Sequence, residues 1–574
     1  MSARSLFIAG LAATLLPIAA SAQAIRGGDL PGRERERFVT PPGPRAQPGA
    51  PAIVLPSTTP PSEAARIKVH IRDICITGAT VYTREQLAPL YADLIGHDVP
   101  LQAIYDLAQR ITAKYGADGY SLSRAIVPPQ AFAPNGAAPC LKVIEGYIDH
   151  VEWPAAVAKY RDFFTHYAAM ITAERPINVH TIERYLLLAS DLPGLHFNAS
   201  LKPSKTNNGA ATLVVEMVEK PLDAYGIVDN RGTPSRGPEQ FLIGANLNNL
   251  LRQHEQFTFN YASTFHTEEL QYFAGNYRQV LTAEGLYAFV NSSYSFGHPG
   301  TEPLQTVGFS ARSLLVEAGL ADPIIRTREK NLTLSGLVFV SNNFTDFDAF
   351  QQPINRDHLR GFRLKADFDW ADRFLGVNQV NVTYSQGIQG LGSSANNSAA
   401  DLAVGFNSQL LSNPVGRVDF EKIEAKLSRS QVLFGPMSAF GSIYGQYAFN
   451  PLLVSEQCGY GGRFFGRAFD PSALLGDHCV EAIGELRYDL THLPPMLSQV
   501  QFYAYSDYGR LWVLGPAVFV PTTGGFSGNF DAASAGGGVR LGFWNTVTAD
   551  LSVAKAIHGP IDDTRFFFIL GAKY

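Results

Sequence analysis

From Asp223 to Tyr574 the side chains alternate in character with a period of two, in runs near the length that a tilted membrane strand needs. Phe257, Phe259, Tyr261 and Phe265 share one face, while Thr258, Asn260, Ala262 and Thr264 take the other. Val380, Val382 and Tyr384 oppose Asn381, Thr383 and Ser385, and Val547, Ala549, Leu551 and Val553 oppose Thr548, Asp550 and Ser552. Ile423, Ala425 and Leu427 oppose Lys422, Glu424, Lys426 and Ser428. Such a charged row is costly against a packed apolar core, and a wet lumen accommodates it. Roughly sixteen such segments can be counted, an even number within the range of bacterial barrels. The runs around 270 to 296 are mixed. Beyond the N-terminus no apolar run reaches the roughly 18 residues of a spanning helix. Placement in a membrane therefore requires a closed barrel, which satisfies every backbone polar group internally. A soluble β-rich protein is the alternative, and an obligatory need for detergent separates the two.

Upstream the chain divides into four stretches. Residues 1 to 22 place Arg4 before an apolar run and end in Ala20-Ser21-Ala22, the pattern of a cleaved signal peptide, with a transmembrane anchor as the alternative. Residues 23 to 65 are rich in Pro and Gly and read as an extended linker, with GRERERF as a solvated charged patch. Residues 66 to 147 read strand, helix, helix, strand, strand, with REQLAPLYADL and LQAIYDLAQRITAKY as the helices; residues 148 to 221 repeat that plan, with AKYRDFFTHYAAMI as a helix. In an exported chain the four cysteines fit disulfides better than a metal, because none has CxxC or His-paired spacing. Cys75 with Cys140, and Cys458 with Cys479, are the natural pairs, free thiols being the alternative. The sequence holds no HExxH, P-loop, GxSxG or zinc-spaced cluster, so no enzyme, cofactor or metal is expected. A net charge of −5 gives no support for nucleic-acid binding.

Late in the strand pattern lies a loop too long for a hairpin turn, Gly459 to Asp477, GYGGRFFGRAFDPSALLGD, followed by the strand-like GELRYDL. Gly466-Arg467-Ala468-Phe469, then Gly476-Asp477 and Glu485-Leu486-Arg487, resembles the lid loop of two-partner secretion transporters (TpsB, the ShlB/FhaC/HecB type) of the BamA-like superfamily, whose tetrad is usually Val-Arg-Gly-Tyr. Ala468 and Phe469 depart from the tetrad. A second similar string, Leu359-Arg360-Gly361-Phe362, lies in LRGFRLKADFDW, which reads as a strand. The phrases CLKVIEGYIDHVEW and EKPLDAYGIVDNRG resemble the junction between that family's two POTRA modules and the passage into its barrel, and TRFFFILGAKY resembles the C-terminal strand of outer-membrane barrels.

The resemblance implies two POTRA domains, 66 to 147 and 148 to 221, before a 16-stranded antiparallel transmembrane barrel, 222 to 574, with an inward-folded lid loop. In that family a short N-terminal helix can occupy the pore, and residues 33 to 38 are the only candidate for it here, the alternative to the solvated patch. It further implies a porin-like channel in the bacterial outer membrane, with periplasmic modules that capture an unfolded exoprotein bearing an N-terminal secretion domain. Outer-membrane lipid and, during biogenesis, the barrel-assembly machinery are the other implied partners. An assembly factor of the BamA or TamA kind is the alternative. Tyr505-Ser506-Asp507-Tyr508-Gly509 resembles the family signature Phe-x-Asp-x-Gly, so Asp507 and Gly509 are the expected wall anchor and Arg467 is expected to pair with Asp507.

Overall fold

The computed structural model describes residues 27–39, 42–48, 61–131, 136–204, 209–515 and 528–574. The expected signal peptide lies outside them. Sixteen antiparallel strands close into a barrel when the last, Thr564–Lys573, pairs with the first, Leu222–Asp229. Side-chain alternation fixes which face is wet. Phe259, Ile423 and Leu551 are exposed toward lipid, whereas Ala262, Thr264 and Lys422 are buried within the lumen. Leu359 to Phe362 falls inside the 20-residue strand Gln352–Ala371.

In the first module Cys75–Thr77 pairs in parallel with Cys140–Ile144, which Arg124–Ile126 flanks. Cys75 and Cys140 stand directly opposite each other and are disulfide-bonded, with Cα atoms 4.3 Å apart. The helix Gln102–Ala117 buries Ile104, Leu107, Ala108, Ile111 and Tyr115. The helix expected over REQLAPLYADL is instead one α-turn, Arg84–Leu87, followed by the 3-10 turns Ala88–Leu90 and Ala92–Leu94. Pro89 is the reason: it has no N–H to donate within a helix.

The second module carries the sheet Tyr147–Glu152, Ala210–Glu219 and Leu195–Pro203, in that order, under the helices Phe164–Ala173 and Val179–Ser190. Its first helix begins later than expected, at Phe164, because Asp162 accepts the Thr165 N–H at 3.0 Å and starts the helix there. This module is docked against turns and strand ends of the barrel. Arg326 donates to both carboxylate oxygens of Asp191, at 2.6 and 2.9 Å, and His254 Nε2 donates to the Arg161 carbonyl at 2.7 Å.

The charged patch expected to be solvated is a buried helix. Gly27–Asp29 forms a 3-10 turn and Glu34–Phe38 an α-helix, with Arg33, Glu34 and Arg37 almost fully buried in the lumen. Five residues cannot hold a helix in water, so its support is tertiary. Arg35 binds Glu317 at 2.9 Å, Arg37 donates to Gln240 at 2.9 Å, and Phe38 packs on Tyr272 with ring centroids 5.2 Å apart. Asp29 accepts hydrogen bonds from Thr233 and Ser235, and Arg236 lies 3.8 Å from Asp29 and 3.7 Å from Glu34.

Candidate functional site: a lid and a plug inside the barrel

The lid leaves the wall after the strand Met437–Ala448 and returns at His478–Asp489. Its base is a two-stranded ribbon, Cys458–Tyr460 against Leu474–Gly476. Cys458 and Cys479 are joined by a disulfide, which ties the base of the lid to the returning wall strand. Between these points the loop folds inward, burying Tyr460, Phe465, Ala468 and Phe469 against Ile483, Tyr503, Tyr505 and Leu511 of the wall. Gly466 takes φ +66°, a left-handed conformation that turns the chain beneath the Tyr460 ring.

Arg467 does not pair with Asp507 through its side chain. Its Nη1 donates to Glu485 Oε2 at 2.8 Å, and its guanidinium lies 4.4 Å from the Tyr505 ring centroid. Glu485 has no solvent-exposed side-chain surface and is shared by three arginines, since Arg487 Nε donates to it at 2.7 Å and Arg540 at 2.7 and 3.1 Å. Asp507 instead accepts the Arg467 backbone N–H at 3.2 Å, the Tyr460 hydroxyl at 2.5 Å and the Ser534 hydroxyl at 2.8 Å. The physical reason is register. Asp507 stands opposite Ile483, while Glu485 stands opposite Tyr505, two residues further down the same lumen face, where a long guanidinium can reach.

Gly509 has a packing role. A Cβ there would sit 2.3 Å from the Tyr460 ring, closer than atoms tolerate, so Tyr460 reaches Asp507 only across a glycine. Ala468 and Phe469 fit their positions as apolar fillers: Ala468 is fully buried and Phe469 packs 5.5 Å from Tyr460, which supplies the phenol that meets the wall. Further ties run from Arg463 to Asp229 and from Arg565 to Asp470 at 2.6 Å.

The plug meets the lid directly. Arg33 donates to the Gln457 carbonyl at 2.5 Å and to Ser472 Oγ at 3.0 Å, while Ser472 donates to Glu36 at 3.2 Å. A cavity of about 390 Å³ remains between them, lined by Glu36, Arg35, Arg363, Lys426 and Glu481 among others. Sequence reasoning missed the roles of Glu485, Tyr460 and Glu317, and it preferred a solvated segment to a pore-occupying helix for residues 33 to 38, where the structure has the helix. The Glu485-Leu486-Arg487 strand signal was visible, but its role as the receptor for Arg467 was not. Among the described residues no group of His, Cys, Asp or Glu could hold a metal ion.

The lid, the plug and the paired modules can be set beside known proteins. The family model described as haemolysin secretion/activation protein ShlB/FhaC/HecB matches residues 209–525, and that of the ShlB-type POTRA domain matches residues 69–146. The heme/hemopexin transporter protein HuxB of Haemophilus influenzae is 22% identical over 495 residues, spanning 83% of this chain and 82% of that protein. The outer membrane transporter CdiB of Dickeya dadantii is 23% identical over 459 residues, spanning 77% and 76%. The solved structure of CdiB from Escherichia coli superposes with a TM-score of 0.69 at 17% identity, covering 94% of this chain and 96% of that one, a likeness of fold.

Proposed function

The chain belongs to the ShlB/FhaC/HecB family of haemolysin secretion/activation proteins, and from that premise we propose that it exports one partner exoprotein through a lumen whose resting closure is the lid and plug described above. It is a non-enzymatic outer-membrane barrel with periplasmic POTRA domains. The observation that carries the proposed gating is the double occupancy of the lumen: plug and lid hold each other through Arg33 and hold the wall through Glu317 and Glu485. A channel so filled passes nothing large until those contacts yield. No ATP-binding motif occurs in the sequence, so directional bias falls to cargo folding outside. We assign residues 66 to 147 and 148 to 221 to capture, because a sheet edge can take up an extended chain by main-chain hydrogen bonding. Arg467, Asp507 and Gly509 are assigned to positioning the lid.

The test is co-expression with a candidate exoprotein that bears an N-terminal secretion domain. Cargo should reach the medium with the intact chain and remain in the periplasm after deletion of 66 to 147, at equal barrel level. Undiminished secretion would remove the capture role. Loss of other outer-membrane proteins on depletion would point to assembly instead.

A further inference from the structure

A crevice of about 590 Å³ separates the second module from the outside of the barrel. Its floor is the periplasmic end of the strand Phe309–Arg326, where a β-bulge leaves Ile324 unpaired between Pro323 and Ile325. The bulge brings two consecutive isoleucines to the surface, 49% and 37% exposed. Ile325 stands opposite Leu332, on the face that carries the exposed Leu334 and Val338, so the floor continues the lipid-facing wall. The opposite side comes from the two helices of the module, with Met170, Ala173, His180 and Arg184. Arg184 gives one amino group to Glu284 Oε2 at 2.9 Å and leaves its side chain 28% exposed. Glu174 lines the same crevice with a carboxylate oxygen that has no hydrogen-bond partner among the described residues.

We propose that this crevice seats the headgroup of one inner-leaflet phosphatidylethanolamine, its acyl chains lying on Ile324, Ile325 and the lipid wall beyond them. The division of surfaces carries the inference. Lipid already covers the isoleucine floor, because that floor is continuous with the barrel exterior, and a chain lying there brings its headgroup to the level of the module helices. His180 and Arg184 offer donors to a phosphate, while Glu174 offers an acceptor to a primary ammonium. A headgroup with both charges and three N–H donors meets both sets. Phosphatidylglycerol lacks the cation, and phosphatidylcholine lacks the N–H groups. So seated, the lipid would hold the second module at a fixed level against the membrane whatever cargo the pore carries.

The experiment is native mass spectrometry of the full-length chain in detergent, supplied in turn with phosphatidylethanolamine, phosphatidylcholine and phosphatidylglycerol. One phosphatidylethanolamine should be retained per chain, at least about tenfold more strongly than either other lipid, the loss expected for a charge-assisted hydrogen bond. Ala173→Trp and Thr181→Trp, which fill the crevice from an exposed and a half-buried position on the two helices, should each abolish that retention. Val553→Trp, on the lipid face of a distant strand, should leave it intact, with heat-modifiable electrophoretic mobility showing that each barrel is folded. Equal retention of the three lipids, or unchanged phosphatidylethanolamine in both crevice-filling variants, would overturn the proposal. The latter result would mean that lipid binds elsewhere and that another occupant, such as the chain's own linker or cargo, is free to use the crevice.

Discussion

Two residues decide how the lid is held. Gly509 is the site where the wall must carry no side chain, because Tyr460 crosses it to reach Asp507. Gly509→Val should push Tyr460 away, break its bond to Asp507 and raise single-channel conductance in planar bilayers while the barrel still assembles; wild-type conductance would show that the Tyr460 seat is dispensable. Glu485 is the second. Removing one member of a shielded ion cluster costs about 3 to 5 kcal/mol because charges are left without partners. Glu485→Gln and Arg467→Ala should therefore each loosen the lid, and their double mutant should be clearly less than additive. Arg467→Ala with Asp507→Asn should be nearly additive, since Asp507 holds the Arg467 backbone and not its guanidinium. Reversed coupling in a conductance cycle would restore the Arg467–Asp507 pair. Resemblance to the family's two motifs singled out Arg467, Asp507 and Gly509, and strand parity, a local property, turned Asp507 into the lumen. Neither could rank the inward-facing acids of neighbouring strands, because their heights depend on the register between Cys479 and Asp507, which alternation alone leaves open.

At the scale of elements, strands were legible and short helices were not. A period of two sustained over many residues overwhelms local noise, whereas Glu34–Phe38 is helical only because Glu317, Gln240, Arg236 and the lid supply partners for nearly every charge on it. The plug is therefore conditional structure. Deleting residues 27 to 39 should raise conductance more than Arg33→Ala does, since the latter removes the contact to Gln457 and Ser472 but leaves Arg35 on Glu317. Equal conductance in the deletion and the intact chain would mean that the lid alone closes the pore. The first module makes a different demand on its charges. Burial raises the Glu145 pKa, but hydrogen bonds from Thr80 Oγ1, the Thr80 and Val81 backbone and the Tyr115 hydroxyl outweigh it and hold the carboxyl below the ordinary value of 4.5. A carboxylate whose folded pKa is depressed stabilises the fold above its unfolded pKa and loses that contribution as pH falls through the folded one. Amide-exchange protection of residues 75 to 82 should accordingly fall below about pH 4.5 in the intact chain, and Glu145→Gln should flatten that dependence. A protection profile that is the same in both would place the acid sensitivity elsewhere.

Across the whole molecule, the question is whether cargo captured by the modules is delivered to a fixed place. The second module is pinned at separate turns of the barrel: Asp191 by Arg326, the Arg161 carbonyl by His254, and the Pro193 carbonyl by Asn249. His254 is fully buried, with its ring centroid 4.9 Å from Phe163 and 6.0 Å from Tyr160, and its Nδ1 has no partner. Burial lowers its pKa below the usual 6.5, although the Arg161 carbonyl and Glu255 oppose that shift. Protonation would put a second N–H into an apolar cage with nothing to accept it, so the docked state favours the neutral ring. A depressed histidine pKa makes docking strongest above the free value and weaker as pH falls through the docked value. Distances between spin labels on the second module and the barrel rim should therefore broaden as pH drops below about 6.5. His254→Phe keeps the ring in its cage and cannot protonate; it should remove the pH dependence while losing the Arg161 bond, worth about 1 kcal/mol. Adding Asp191→Asn should loosen the module at neutral pH, although Asn249 still holds the Pro193 carbonyl and Glu284 still holds Arg184, and reduce secretion with lid and plug intact. If the labels broaden in that double variant while secretion holds at the wild-type level, capture and translocation do not require a fixed module, and delivery must occur by diffusion of the tethered cargo.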